Sequence, residues 1–376
     1  MLQRYIYPKI QSHLEKNPIL LLLGSRGVKK YEMISSAIEN QEELLHIDFS
    51  KKKHRTLFES VGKEASYLPL FKDKKYIVLQ EAQYLICLQR IIEEVLTKNY
   101  PIRLILLCSY EPLLDKVLRD VLIMEGLEMK VYPYLFQEMA QHQGVIEFDK
   151  HLETRLVYGN YPEVLSQPGQ AEKYLLELVK TSIFTNLNPN ERINKGDKLL
   201  KMVQLLAFEM GEPISYYDIG QRCGLDNETV ERYIELLEKA FLIKKVPSFF
   251  NDKKYELKKT HIVFFLDNGF RNAVIQNFNP LDLRNDVAAL WKNWLIAERI
   301  KWNEFNGIKR NYYFWRTHTK QQMDFIEEEN GKIAAYKSLW DKRKKPKFPA
   351  SFQSYYPEAG LFALNRSTYW GFLSKK

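Results

Sequence analysis

The chain is short of cysteine, and what it has is scattered. Cys87, Cys108 and Cys223 are the three in 376 residues. Their separation argues against a disulfide framework or a thiolate zinc site and predicts reduced thiols. The seven histidines show no His-x-x-x-His spacing, and there is no Cys-x-x-Cys pair, so no metal site is expected from them. Apolar runs stop at strand length, too short to cross a bilayer. No membrane partner is expected. Met1-Leu2-Gln3-Arg4 does not read as a signal peptide, which makes a cytoplasmic location the expectation. Low-complexity segments and repeats are lacking too. The length predicts two or more domains. The net charge of +9 permits an anionic partner without requiring one.

The most informative stretch is the apolar run Ile19–Leu23 and the octet after it, Gly24-Ser25-Arg26-Gly27-Val28-Lys29-Lys30-Tyr31. Met33, Ile34, Ala37 and Ile38 then recur at helical spacing. Strand, glycine loop and helix in that order are the setting of a P-loop, G-x-x-x-x-G-K-[ST]. Gly24 holds the first glycine and Lys30 the lysine. Lys29 stands at the second glycine and Tyr31 at the Mg²⁺-binding hydroxyl. Further strands are expected at 44–48, 76–79 and 104–107. The third ends in Gln80-Glu81, where a Walker B strand would carry Asp-Glu. The fourth ends in Cys108-Ser109, and such tips commonly sense a γ-phosphate. Alternating strands and helices predict a parallel sheet with ligands at the strands' carboxyl ends.

The segments Leu23-Gly24-Ser25-Arg26, Leu79-Gln80-Glu81-Ala82-Gln83, Cys108-Ser109, Tyr132-Pro133-Tyr134-Leu135-Phe136-Gln137-Glu138 and Tyr158-Gly159-Asn160-Tyr161-Pro162-Glu163 occur in an order that resembles a prokaryotic, archaeal-type AAA+ ATPase family. The resemblance covers nearly the whole chain. It implies a helical lid, a winged helix and a C-terminal domain similar to the PD-(D/E)XK nucleases, with ATP as the nucleotide.

The departures from that pattern share one direction. A glycine at position 29 would let the backbone approach phosphates in a conformation that a Cβ disfavours. Lys29 adds a Cβ and an ammonium that could itself occupy the phosphate site. Tyr31 lacks a short aliphatic hydroxyl, and Gln80 lacks the negative charge that holds Mg²⁺ waters. No arginine lies between Arg119 and Lys130, where the family would place a Gly-Arg pair. Lost hydrolysis and no bound Mg²⁺ are the expectation. Two readings of 24–31 stay open: ATP binding without turnover, through Lys30 and the helix N-terminus, and a strand-to-helix turn with no ligand. Gly27 offers an alternative loop register. Glu81 is expected as a solvated strand-end carboxylate and Ser109 as a strand-end hydroxyl. A working base and an active sensor are the family roles those two would otherwise fill.

Residues 150–187 have helical periodicity broken at Tyr158-Gly159-Asn160-Tyr161-Pro162, as a lid would. Asn188-Pro189-Asn190 and Asn194-Lys195-Gly196-Asp197 read as a linker. An apolar helix over 198–210, a second helix, and a third over 227–240 capped by Asp226 have helix-turn-helix spacing, with a wing over 243–255. Glu228, Glu231, Glu235 and Glu238 on the third helix disfavour DNA phosphates. Lys244, Lys245, Lys253, Lys254, Lys258 and Lys259 favour them. The last domain, opened by a strand at 262–266 and Asp267-Asn268-Gly269, would need a helix Glu, a strand Asp and Glu-x-Lys to cut DNA. It offers Lys292, Asp324, and Lys337 with Ala335 or Leu339, so nuclease activity is expected to be absent. Asp324 is expected half-exposed, and Lys342-Arg343-Lys344-Lys345-Pro346-Lys347 as a solvated loop.

The expected class is α/β, in four units: an AAA+ P-loop sheet over 1–148, a lid over 149–195, a winged helix over 196–260 and a nuclease-like domain over 261–376. The expected role is interaction with a protein partner. The rivals are a true ATPase with an unusual loop and a DNA binder.

Overall fold

Five consecutive aliphatic residues with no polar face can only be a strand covered on both sides. In the structure, a computed structural model that describes residues 4–62, 65–71, 73–98, 100–185, 196–250 and 260–374, they are that. The chain runs α1 (Ile6–Lys16), β1 (Ile19–Leu23), α2 (Lys30–Ala37), β2 (Leu44–Asp48), α3 (Lys52–Glu59), β3 (Tyr76–Gln80), α4 (Leu88–Lys98), β4 (Arg103–Cys108), α5 (Lys116–Met124) and β5 (Glu128–Lys130). The strands form one parallel sheet in the order β2-β3-β4-β1-β5. Alternate residues of β1 serve opposite faces. Leu20 and Leu22 pack in the core that holds Ile34 of α2, and Ile19, Leu21 and Leu23 in the one that holds Ile91 of α4. Register pairs Leu23 with Cys108 and Gln80 with Leu107. The ends of β1, β3 and β4 therefore lie level, and Gly24, Glu81 and Ser109 meet at one edge. The short edge strand β5 is absent from the sequence reading: its three half-buried residues, Glu-Met-Lys, carry no apolar run.

Helices α6 (Phe136–Gln143), α7 (Val145–Lys150), α8 (Leu152–Tyr158), α9 (Pro162–Ser166) and α10 (Ala171–Lys180) follow, breaking at Gly159 as the periodicity indicates. Asn188-Pro189-Asn190 and Asn194-Lys195 lie outside the described residues, whereas Gly196 and Asp197, expected in the linker, are the first turn of α11 (Gly196–Phe208). Then come β6 (Pro213–Ile214), α12 (Tyr216–Cys223), α13 (Asn227–Lys239), β7 (Ile243–Pro247) and β8 (His261–Phe265). Asp226 accepts a hydrogen bond from Thr229 N at 2.7 Å and caps α13. Of the proposed wing, Lys253, Lys254, Lys258 and Lys259 lie outside the described residues. β8 pairs with β6 and β7, so this strand joins the three-stranded sheet across the expected boundary at 260/261. The chain ends in α14 (Asn268–Val274), α15 (Val287–Phe305), β9 (Asn311–Arg316), β10 (Gln322–Glu329), β11 (Lys332–Ser338), α16 (Ala350–Tyr355), β12 (Gly360–Leu364) and α17 (Tyr369–Ser374). Its sheet has the order β12-β11-β10-β9, antiparallel except for the parallel pair β11/β12. Among the described residues no helix is long and apolar enough to cross a membrane.

The segments singled out by sequence converge at one buried junction. Asp267 Oδ2 accepts from Asn160 N at 2.7 Å, while its Oδ1 caps α14 through Phe270 N at 3.1 Å. Glu298 of α15 accepts from Phe136 N at 2.8 Å, from the Asn160 amide at 3.3 Å, and from Lys301 Nζ at 2.6 Å. Glu138 accepts from Arg4 Nε, Tyr5 N and Leu135 N. Asn272, fully buried, donates to the last carbonyls of α8, Leu156 O and Val157 O. Each buried polar group is placed where it satisfies a backbone group of a different segment.

Candidate functional site

The octet retains the shape of a phosphate-binding turn with different side chains in it. Gly24 leaves no room for a Cβ, which would stand 2.1 Å from Val131 O. Lys29 sits at φ 61° and ψ 48°, a left-handed conformation that glycine adopts without strain and lysine does not. The backbone at this position favours glycine, and a lysine occupies it. Lys29 Nζ does not enter the loop; it pairs with Glu163 of α9 at 2.5 Å. Lys30 Nζ turns inward instead. It donates to Gly24 O at 2.7 Å, Ser25 O at 3.1 Å and Ser109 Oγ at 3.1 Å. Ser109 Oγ in turn donates to Glu81 Oε1 at 2.8 Å, and Gln83 Nε2 donates to Glu81 Oε2 at 2.7 Å. Arg26 lies 3.9 Å from the same carboxylate. Glu81 and Ser109 are thus buried, and for Glu81 this corrects the expectation of a solvated strand-end carboxylate. The reason is a ring of donors around Glu81 that sequence spacing does not show.

Residues of the α8–α10 segment approach this loop. Ser25 Oγ and Tyr161 Oη are 3.0 Å apart. A Cβ on Gly27, at φ +86°, would meet Tyr174 Oη at 2.3 Å. Above the loop a cleft of about 380 Å³ remains, lined by Arg26, Lys29, Lys30, Tyr31, Gln80, Glu81 and Ser109 among others.

Residues 16–140 match the family described as an AAA domain. The N-terminal unit is thus similar to an AAA domain, and its five-stranded parallel sheet is consistent with a P-loop fold. Residues 149–281 match a domain of unknown function, DUF8612. An uncharacterised protein of Haemophilus influenzae is 26% identical over 276 residues, 68% of this chain and 66% of that protein's length. The match thus spans just under two thirds of the relative.

A working P-loop domain holds Mg²⁺ through a hydroxyl after the lysine and a carboxylate at the Walker B strand. Here the Tyr31 ring stacks on His46, centroids 3.9 Å apart. His46 Nε2 donates to Gln80 Oε1 at 2.7 Å. Both positions are engaged with a third side chain and neither offers an anionic oxygen. These residues do not fit a magnesium–triphosphate. Among the described residues no group of three or more His, Cys, Asp or Glu is placed to hold a metal ion.

Burial pushes the Lys30 amine down to about 8, against the field of Glu81, which raises it. The unfolded chain keeps the ordinary value of 10.5. Below the folded value both states hold the proton. Between the two values the unfolded state binds a proton that the folded state has released, so stability rises with pH through that window. Urea midpoints of wild type and Lys30→Met, compared across the window, are expected to diverge in the wild type's favour as pH rises. A constant difference would show that the amine titrates normally.

The C-terminal sheet holds a buried carboxylate of its own. Asp324 is buried, not half-exposed as its strand position suggests. Its Oδ2 accepts from Ser338 N at 2.8 Å and Ser338 Oγ at 3.1 Å. Lys292 of α15 lies 3.9 Å from Oδ1. It also donates to Gly211 O at 2.9 Å. Lys337 Nζ donates to Gln322 O at 2.8 Å. A lysine and two serine donors occupy the space around the one carboxylate.

Of the residues named from sequence, Arg26, Gly27, Lys29, Lys30, Tyr31, Gln80, Glu81 and Ser109 line the cleft above the loop; Gln83 and Glu163 enter the sequence reading only within family-like strings, and His46 and Tyr174 are not singled out. His46 carries a signal: it precedes Asp48 by two on the strand beside Gln80, so both side chains reach the same sheet edge.

Proposed function

We propose that this AAA-type protein has given up nucleotide hydrolysis and works by binding a protein partner, its P-loop domain serving as a rigid scaffold. The observation that carries this is the closed circuit Lys30–Ser109–Glu81–Gln83, in which the groups that would engage phosphate and attacking water hydrogen-bond one another. The engaged Tyr31 and Gln80 support it, as does the Lys292–Asp324 contact. We read the α11–β8 segment as a winged helix, on its order of helices and its antiparallel three-stranded sheet. We read α15 to β12 as a nuclease-like domain, on the helix that packs over a mixed sheet. Glu228, Glu231 and Glu235 stand exposed on α13, which supports a protein contact over DNA there.

Isothermal titration with ATP, with and without Mg²⁺, beside a phosphate-release assay tests the reading. Phosphate release at the background rate, unchanged in Lys30→Ala, is expected. Turnover that disappears in Lys30→Ala would overturn it in favour of an atypical ATPase. The cleft above the loop, with Arg26 and Lys29 on its wall, favours a second reading: metal-independent nucleotide binding without turnover. Heat of binding that persists in EDTA without phosphate release would select it.

A further inference from the structure

Five of the sixteen exposed large apolar side chains among the described residues fall within 113–124: Leu113, Val117, Val121, Ile123 and Met124. Val117 is 75% and Met124 83% exposed. Helix α5 already buries Leu118 and Leu122 against the sheet. It is therefore apolar on two faces, and among the described residues one face has no covering element. At about 100° per residue, Val117, Val121 and Met124 fall within an arc of about 60°. That is the 4–3 spacing by which one helix packs along another. An apolar stripe of this kind on a soluble surface marks a contact.

The charges beside the stripe identify what covers it. Lys116 and Asp120 are both exposed and stand one turn apart on the same flank. When a helix packs on its own copy across a two-fold axis, each flank faces itself with direction reversed. Lys116 then meets Asp120 of the second copy, and Asp120 meets Lys116. An axis between positions 118 and 119 also brings Val117 towards Val121 and Leu113 towards Met124. Parallel packing would instead set this flank against the opposite flank of the second copy, where Lys116 and Asp120 do not meet. We propose that α5 is the interface of a two-fold homodimer, with the two helices antiparallel. None of these α5 residues lines the cleft above the loop, and the proposal holds whether or not the loop binds ATP.

Sedimentation equilibrium over a range of protein concentrations tests this, with circular dichroism confirming that each variant is folded. Wild type is expected to show a monomer–dimer equilibrium. Val121→Glu, which buries an unpaired charge at the contact, is expected to weaken it by roughly tenfold or more. Lys116→Glu and Asp120→Lys should each weaken it, and the double swap should restore it. A wild type that stays monomeric at high micromolar concentration overturns the proposal. So does a dimer that is indifferent to Val121→Glu, or one that the double swap fails to restore.

Discussion

Replacing Lys301 by methionine is expected to cost about 3–5 kcal/mol of stability, the penalty for leaving a buried partner charge unpaired. Lys301 and Glu298 are both about 1% exposed and 2.6 Å apart. Glu298 keeps two other donors, Phe136 N and the Asn160 amide, but neither carries a charge. The double variant Glu298→Gln/Lys301→Met retains an acceptor for Phe136 N and removes the stranded charge. It should recover most of the loss. Burial already holds the Glu298 carboxyl above its ordinary value of 4.5, and removing Lys301 raises it further. A carboxyl raised in the folded state binds its proton there first, so the Lys301→Met deficit should shrink as pH falls towards the ordinary carboxylate value. Denaturant titrations of the three proteins at neutral and acid pH check this. A double variant no more stable than Lys301→Met would show that the pair does not act through charge burial.

The second large effect is expected at two glycines. A Cβ at Gly269 would lie 2.0 Å from Tyr158 O, and one at Gly159 would lie 2.0 Å from the Asp267 carboxylate. Gly159 also sits at φ +69° and ψ −160°, a region closed to other residues. Either alanine forces α14 away from α8 and breaks the Asp267–Asn160 contact. We expect losses of about 3 kcal/mol or more for each, from strain and overpacking together. Neither obstacle is the end of a flexible side chain: one is backbone, the other a carboxylate fixed by two hydrogen bonds. Thermal melts that shift by less than a degree would show that the junction yields.

The glycine prediction falls on segments that sequence could pick out but not explain. Tyr158-Gly159-Asn160 and Asp267-Asn268-Gly269 stand apart as family-like strings. Their role rests on contacts between residues more than a hundred positions apart, and no local spacing encodes those. Ile19–Leu23 was legible because a fully apolar pentamer has one stable setting. The order of strand ends was legible because buried strands punctuate the chain. Three charged or polar side chains defeated the reading. Glu81 and Asp324 look solvated until their donors, Ser109 and Ser338, are brought beside them by strand pairing. Lys30 looks like a reaching side chain until the loop carbonyls close on it. Polar burial depends on partners in three dimensions, whereas apolar burial is written in the pattern itself.

The contact between Phe136 N and Glu298 spans 162 positions, and that between Tyr132 and Glu304 spans 172. A chain leaving the ribosome completes the P-loop sheet at β5 and then waits for α15. At 5–20 residues per second the interval is on the order of ten to thirty seconds. Throughout it the nascent sheet carries Tyr132 and Phe136 with no helix to receive them. Severing the gene after the lid would make that interval permanent, so the amino-terminal half made alone is expected to need a chaperone or to precipitate.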